Sequence, residues 1–90
     1  MITPNLLYIT KKDFDRLVLE AEENFMEERS NYKPEERESC VQFWVHIPHA
    51  LVPINYLREL ETSYRNAGWN IVKVEYQKDR TESIYIYLST

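Results

Sequence analysis

The chain closes with SIYIYLST, residues 83–90, and the alternation in this stretch decides the fold. Successive side chains of a β-strand point to opposite faces, so Ile84, Ile86 and Leu88 share one face while the two tyrosines share the other. Antiparallel sheets in small proteins commonly bury one face and leave the second to water. A strand that is non-polar on both faces is therefore predicted to lie at the centre of its sheet.

Two further stretches alternate in the same way and predict the neighbouring strands. NIVKVEYQ, residues 70–77, forms a hairpin with the last strand around a loop of four or five residues that begins near Lys78. Pairing Val74 with Ile86 keeps the apolar side chains of both strands on one face, and a slip of one residue would destroy that match. SCVQFWVHIP, residues 39–48, reads as an earlier strand that a proline ends.

Two amphipathic helices are predicted from caps and periodicity. Thr10 is a typical N-cap with Asp13 three residues later, and the first helix should end near Ser30. The second helix begins after Pro53 and ends at Gly68, the single glycine of the chain, where a left-handed residue is needed. The predicted apolar stripes are Phe14, Leu17, Val18, Ala21 and Phe25 in the first helix, and Ile54, Leu57, Leu60, Tyr64 and Ala67 in the second.

These elements predict one α+β domain over residues 1–90. A lead-in and a long helix occupy 1–30, a polar connector occupies 31–38, and a β-α-β-β unit occupies 39–90. A helix joins the first two strands, so we expect them to run parallel, with the last strand between them in a three-stranded mixed sheet of order 1-3-2. Both helices are expected to pack on this sheet, the second one on the aliphatic face.

The second face of the predicted sheet is the candidate binding surface. Trp44, Ile71, Tyr85 and Tyr87 fall on it, and together they exceed the non-polar patch that soluble monomers usually expose. Three covers remain open: the chain's own first helix, a second copy of the chain, or a ligand. Single-stranded nucleic acid is disfavoured, because Lys73 is the one basic residue expected nearby and the chain carries a net charge of −4.

The negative charge is concentrated in one segment of the chain. Residues 20–38 hold eight glutamates against three basic side chains, a net charge of −5. Such a run usually forms a solvated helix face, but it can also dock on a cationic site of another protein. The candidate residues for that use are Glu22, Glu23, Glu27 and Glu28.

Residue types that carry catalysis or cofactor binding are sparse. The single glycine excludes phosphate-cradling loops and dinucleotide fingerprints. His46 and His49 could share a metal ion, but Cys40 lies about 20 Å from His46 along an extended strand and cannot complete the site. We therefore expect a non-enzyme without metal or cofactor. One cysteine, no basic leader and no long apolar run indicate a cytoplasmic protein that does not enter a membrane.

With the helix ending in NAGWNIVKVEY and the closing strand SIYIYL placed, the layout resembles small uncharacterised proteins of tailed bacteriophages. The resemblance implies a virion-associated or host-takeover accessory protein that acts by binding protein in the host cytoplasm, with no catalytic residues. We predict a small binding or assembly protein that forms homo-oligomers, with a dimer favoured. The alternative is an acidic inhibitor that docks its Glu-rich segment on a basic site of a host protein or nuclease.

Overall fold

A computed structural model describes residues 1–30, 40–47, 50–77 and 83–90 of the chain. The helices and strands within these ranges confirm the α+β class. The predicted connector at 31–38 and the hairpin loop after Gln77 lie outside the described residues. The elements in chain order are a 3₁₀ helix Pro4–Leu7, α1 Lys11–Ser30, β1 Cys40–His46, α2 Ile54–Asn66, β2 Ile71–Gln77 and β3 Ser83–Ser89.

The three strands form one sheet of order β1-β3-β2, with β3 at its centre as predicted. Val74 of β2 lies opposite Ile86 of β3, which is the predicted register of the hairpin. On the other side of β3, Phe43 of β1 also lies opposite Ile86, in an antiparallel ladder. The prediction of a mixed sheet is wrong. The strands β1 and β2 share a direction, but β3 separates them and runs antiparallel to both, so neighbouring strands are never parallel in this sheet.

The first turn of α1 is capped as the sequence predicts. The Thr10 hydroxyl accepts a hydrogen bond from the backbone N–H of Asp13 at 3.2 Å, which satisfies one of the free N–H groups of that turn. Lys11 then joins the two helices, because its Nζ lies 2.9 Å from Asp15 and 3.3 Å from Glu59 of α2. Burial lowers the pKa of Lys11, but the hydrogen bonds and charges of these two carboxylates outweigh it and raise that pKa above its ordinary value.

The C-terminal end of α2 is closed by the single glycine of the chain. Gly68 has a φ of 114°, and the N–H of Trp69 donates to the carbonyl of Tyr64 at 3.2 Å. This bond belongs to the Schellman motif, which returns Trp69 against the helix and the core. Ile54 and Ala67 were predicted in the buried stripe, and that is wrong. Both are exposed, because they stand at the two ends of α2.

The core lies between both helices and one face of the sheet. The ring of Phe14 in α1 is 5.5 Å from that of Tyr56 in α2, and Phe25 in α1 is 5.7 Å from Phe43 in β1. The helices therefore lie side by side in one layer, and the sheet forms the second layer. The buried apolar residues are Phe14, Val18, Phe43, Val45, Ile47, Val72, Ile84, Ile86 and Leu88.

The position of α1 excludes one of the three predicted covers of the second face, namely the chain's own first helix. Its apolar stripe packs on the same aliphatic face that α2 covers. The hypothesis that α1 covers the tyrosine face of its own sheet is therefore wrong. Within the described ranges, no helix or strand lies over that face.

The lead-in contacts the domain through a short backbone bridge and through Ile9, which packs against the core. Tyr8 forms an isolated parallel bridge with Leu51, in which the N–H of Ile9 donates to the Leu51 carbonyl at 2.9 Å. Leu6 and Leu7 remain mostly exposed. No helix of the described ranges is long and apolar enough to cross a lipid bilayer.

Candidate protein-interaction surfaces

The side chains that point away from the helices form four rows across the three strands, and we call this surface the open face. Its composition follows directly from the register of the two antiparallel ladders. In the order β1, β3, β2, the rows are His46, Ser83, Gln77; Trp44, Tyr85, Glu75; Gln42, Tyr87, Lys73; and Cys40, Ser89, Ile71. Ser83 is buried, so the centre of the first row is not open to solvent.

The aromatic rings occupy the two middle rows of the open face. Trp44 is 46% exposed, and the centroid of its ring lies 4.9 Å from that of Tyr85. The Tyr85 hydroxyl donates a hydrogen bond to Oε1 of Gln42 at 2.8 Å. The Nζ of Lys73 lies 5.9 Å from the centroid of the Tyr87 ring, within cation–π range. Each ring is therefore oriented by a neighbour on its own sheet.

The structure brings together three of the four residues predicted for this surface. Trp44, Tyr85 and Tyr87 are adjacent across β1 and β3. Ile71 is 47% exposed on the same face, but it lies opposite Ser89 in the last row. Strand spacing places it roughly 16 Å from Trp44, at the diagonally opposite end of the sheet.

The sequence prediction placed Lys73 near the open face but did not include Glu75 beside it. Lys73 and Glu75 stand in successive rows of β2, beside Tyr87 and Tyr85. Neither makes an ion pair within 4 Å among the residues that the structure describes. The signal was present in the alternation of IVKVEYQ, where the two charged residues share one face.

The acidic residues of the alternative site lie in the C-terminal half of α1. The carboxylates of the N-terminal half each lie within 4 Å of a lysine or arginine. In the described part of the chain, Glu22, Glu23, Glu27 and Glu28 have no such partner. An α-helix turns about 100° per residue, so Glu28 points to a different side from Glu22 and Glu23, and the four do not form one surface.

A groove of about 150 Å³ opens between the C-terminal halves of α1 and α2, over one end of the sheet. At its rim the Tyr64 hydroxyl donates a hydrogen bond to Oε1 of Glu22 at 3.0 Å. Burial, followed by the charge and the hydrogen bond of Glu22, raises the pKa of Tyr64 above its usual range, which keeps the phenol a neutral donor. The apolar walls are Phe25, Met26, Val41, Phe43, Trp69 and Leu88.

The residues considered for metal binding do not converge in the described part of the chain. His46 and Cys40 stand at opposite ends of β1, and His49 lies outside the described residues. Among the described residues, no three His, Cys, Asp or Glu side chains are close enough to hold an ion.

The fold and its surfaces define a small two-layer α+β domain with two candidate contact regions. One is the open face of the sheet, and the other is the groove on the helical side. Comparison with protein-family models, with curated proteins and with solved structures found no match.

Proposed function

We propose that this protein is a small, non-enzymatic binding and assembly protein that pairs with a second copy of itself through the open face. One observation carries the proposal: both helices pack on the aliphatic face, while Trp44, Tyr85 and Tyr87 line the other without a described element over them. Aromatic side chains of this kind are enriched at the centres of protein interfaces.

A second copy fits the open face because the face is complementary to itself. Consider a two-fold axis that lies parallel to the sheet, perpendicular to the strands, and between the two aromatic rows. Rotation about it sets Tyr85 of one copy on Tyr87 of the other, and Glu75 on Lys73. Each contact then occurs twice, as an isologous interface requires. The paired charges favour this register over a shifted one, in which like charges would meet.

The dimensions of the open face limit the affinity of such a dimer. Three strands spaced by about 4.8 Å, each of seven residues that rise about 3.3 Å, make a flat patch of roughly 330 Å². With the relief of the side chains, a dimer would bury about 1,000 Å² in total, which is the lower end for specific interfaces. We therefore expect a reversible dimer with a dissociation constant on the order of micromolar.

Exchange of the two charges tests the proposed geometry. Light scattering coupled to size exclusion should give twice the chain mass of 10.9 kDa at high protein concentration and the chain mass at low concentration. Lys73→Glu should favour the monomer, because two carboxylates then meet across the axis. The double exchange Lys73→Glu with Glu75→Lys should restore the dimer, because both pairs return with their signs reversed.

Removal of aromatic contacts provides the complementary test. Trp44→Ala and Tyr85→Ala should weaken the dimer while circular dichroism stays that of the folded chain. A wild-type chain that is monomeric at every concentration would refute self-assembly. If the double variant formed no more dimer than Lys73→Glu alone, the proposed two-fold axis would be refuted.

The resemblance of the sequence layout supports an extension of this proposal to a bacteriophage accessory protein. Such a protein would act in the host cytoplasm through protein contacts. Partners identified by affinity capture from infected cells would test this extension, and partners confined to membranes would contradict it.

A second candidate function is that of an acidic inhibitor that occupies a basic site of a host protein or nuclease. The observation in its favour is that the four glutamates at the C-terminal half of α1 have no cationic partner within the described residues. Charge reversal at Glu22, Glu23, Glu27 and Glu28 should abolish capture of a basic partner and leave the dimer intact. Loss of the dimer in that variant would show that the two surfaces are not separate.

A further inference from the structure

The groove has the volume of a single amino-acid side chain. Its volume is about 150 Å³, and an apolar cavity of roughly that size in another protein accommodates benzene. Sites for cofactors and other small molecules usually occupy roughly 300–1,000 Å³. The groove is therefore too small for a nucleotide or a cofactor, but it is large enough for the side chain of one leucine, methionine or phenylalanine.

A carboxylate stands at the rim of this apolar space. Glu22 is half-buried and accepts the hydrogen bond of Tyr64 through Oε1. No lysine or arginine of the described ranges lies within 4 Å of it. A carboxylate beside an apolar surface attracts an ammonium or guanidinium group more strongly than one surrounded by water, because screening by solvent is weaker there.

The side of α1 next to the groove also combines exposed apolar side chains with carboxylates. Leu19, Glu22, Glu23 and Met26 follow the i, i+3, i+4, i+7 spacing and therefore share one side of the helix. Leu19 is 54% exposed and Met26 is 58% exposed, although both are large and apolar. This side thus presents two carboxylates between two apolar side chains, and the matching surface combines apolar residues with lysine or arginine.

We propose that the groove binds one apolar side chain of a basic amphipathic helix in a partner protein, with a lysine or arginine of that helix pairing with Glu22. Helices of this kind insert anchors at helical spacing into apolar grooves. The inference rests on the second candidate function, which supplies the basic partner, and it adds the anchor and its position. It does not depend on the dimer, because the groove and the open face lie on opposite sides of the sheet.

The two tryptophans of the chain report on the two surfaces separately. Trp69 lines the groove, and Trp44 lies on the open face. The protein is produced with 5-fluorotryptophan and titrated with a synthetic helix of about four turns, which carries leucines on one side and lysines elsewhere. We expect the fluorine resonance of Trp69 to shift with the peptide and that of Trp44 to remain in place.

Matched variants distinguish the contribution of the apolar side chain in the groove from that of the ion pair with Glu22. Met26→Ala removes one wall of the groove and should weaken peptide binding about tenfold, while Ile54→Ala, a change at a similarly exposed apolar residue of α2, should have no effect. Glu22→Gln keeps an oxygen for Tyr64 and removes the charge, so binding should fall about threefold to tenfold at low salt. Glu28→Gln makes the same change on another side of α1 and should leave binding unaltered.

Four results of the fluorine and peptide experiments would overturn the inference. The first is a shift of Trp44 instead of Trp69, which would place the peptide on the open face. The second is equal binding of a peptide with glutamates in place of the lysines, and the third is equal binding of one with alanines in place of the leucines. The fourth is a Trp69 resonance that moves with protein concentration alone, which would make a second copy the occupant. Capture of a basic partner that depends on Glu23 and Glu27 but not on Met26 would retain the second candidate function and reject the groove.

Discussion

The hydrogen bond between Tyr64 and Glu22 joins the C-terminal halves of the two helices, and Tyr64→Phe removes it while retaining the aromatic ring. The hydroxyl lies 3.0 Å from the carboxylate oxygen, and a hydrogen bond to a charged group typically contributes about 1.5–3 kcal/mol. Tyr64 is only half-buried, so water competes for both groups. We therefore expect the free energy of unfolding to fall by about 1 kcal/mol at neutral pH, measured by urea denaturation followed by circular dichroism.

The same residue predicts how stability depends on alkaline pH. Burial, and then the Glu22 carboxylate, raises the pKa of the Tyr64 phenol above its unfolded value of 10.0. The folded chain holds this proton more tightly, so the stabilisation is complete below pH 10.0 and is lost as pH rises from there towards the folded pKa. Between the unfolded and the folded pKa, one retained proton lowers the free energy of unfolding by about 1.4 kcal/mol per pH unit. Partial exposure reduces the pKa shift of Tyr64, so this slope extends over a shorter pH interval than it would for a fully buried phenol.

Comparison of wild type with Tyr64→Phe isolates this contribution from the other tyrosines. Urea midpoints are measured from neutral pH to about pH 11, and phenolate formation is followed by ultraviolet absorbance. Tyr85→Phe is the matched control: its hydroxyl donates to the neutral amide of Gln42 at an exposed site, so its loss should cost less than about 0.5 kcal/mol. Equal stability of Tyr64→Phe and wild type at neutral pH, with equal alkaline slopes, would refute the reasoning.

Five further substitutions test the turn, the cap and the two faces of the sheet. Gly68→Ala should destabilise by about 1–2 kcal/mol in urea, through backbone strain alone, because no atom lies within 4 Å of the added Cβ and φ is 114°. Thr10→Ala should cost about 1 kcal/mol and Thr10→Ser should be nearly neutral, since serine restores the acceptor for the first turn. Ile86→Ala should cost about 2–5 kcal/mol, because its side chain is fully buried, and Trp44→Ala in dilute solution about 1–2 kcal/mol. A larger loss for Trp44 than for Ile86 under dilute conditions would contradict the assignment of the two faces.

The sheet could be predicted in order and register because both depend on local alternation. Ile84, Ile86 and Leu88 must share a face, and a hairpin allows one register that keeps them beside Val74. The end of α2 was equally predictable, because Gly68 is the single glycine of the chain and glycine adopts a positive φ without strain. The antiparallel contact of β1 with β3 followed from the strand order, and the description of the sheet as mixed did not take that into account.

The side of the sheet on which α1 packs could not be predicted. Its apolar stripe fits any apolar surface, since the hydrophobic effect has no directional preference. The contacts that fix its place join distant parts of the chain, such as Lys11 with Glu59 and Phe14 with Tyr56. The groove escaped prediction for the same reason, because Tyr64 and Glu22 are 42 residues apart.

The choice of residues on the two faces of β3 supports the proposal that its second face alternates between solvent and a partner. The buried face uses isoleucine and leucine, and Ile84 and Ile86 are fully inaccessible to water. The open face uses tyrosine, whose ring gains from burial and whose hydroxyl can bond to water or to a side chain. Tyr85 already does so with Gln42. A face permanently covered by its own helix would gain more from aliphatic residues, because each buried hydroxyl needs a partner. Tyrosine instead suits a surface that must remain stable in the free chain and still stabilise a complex.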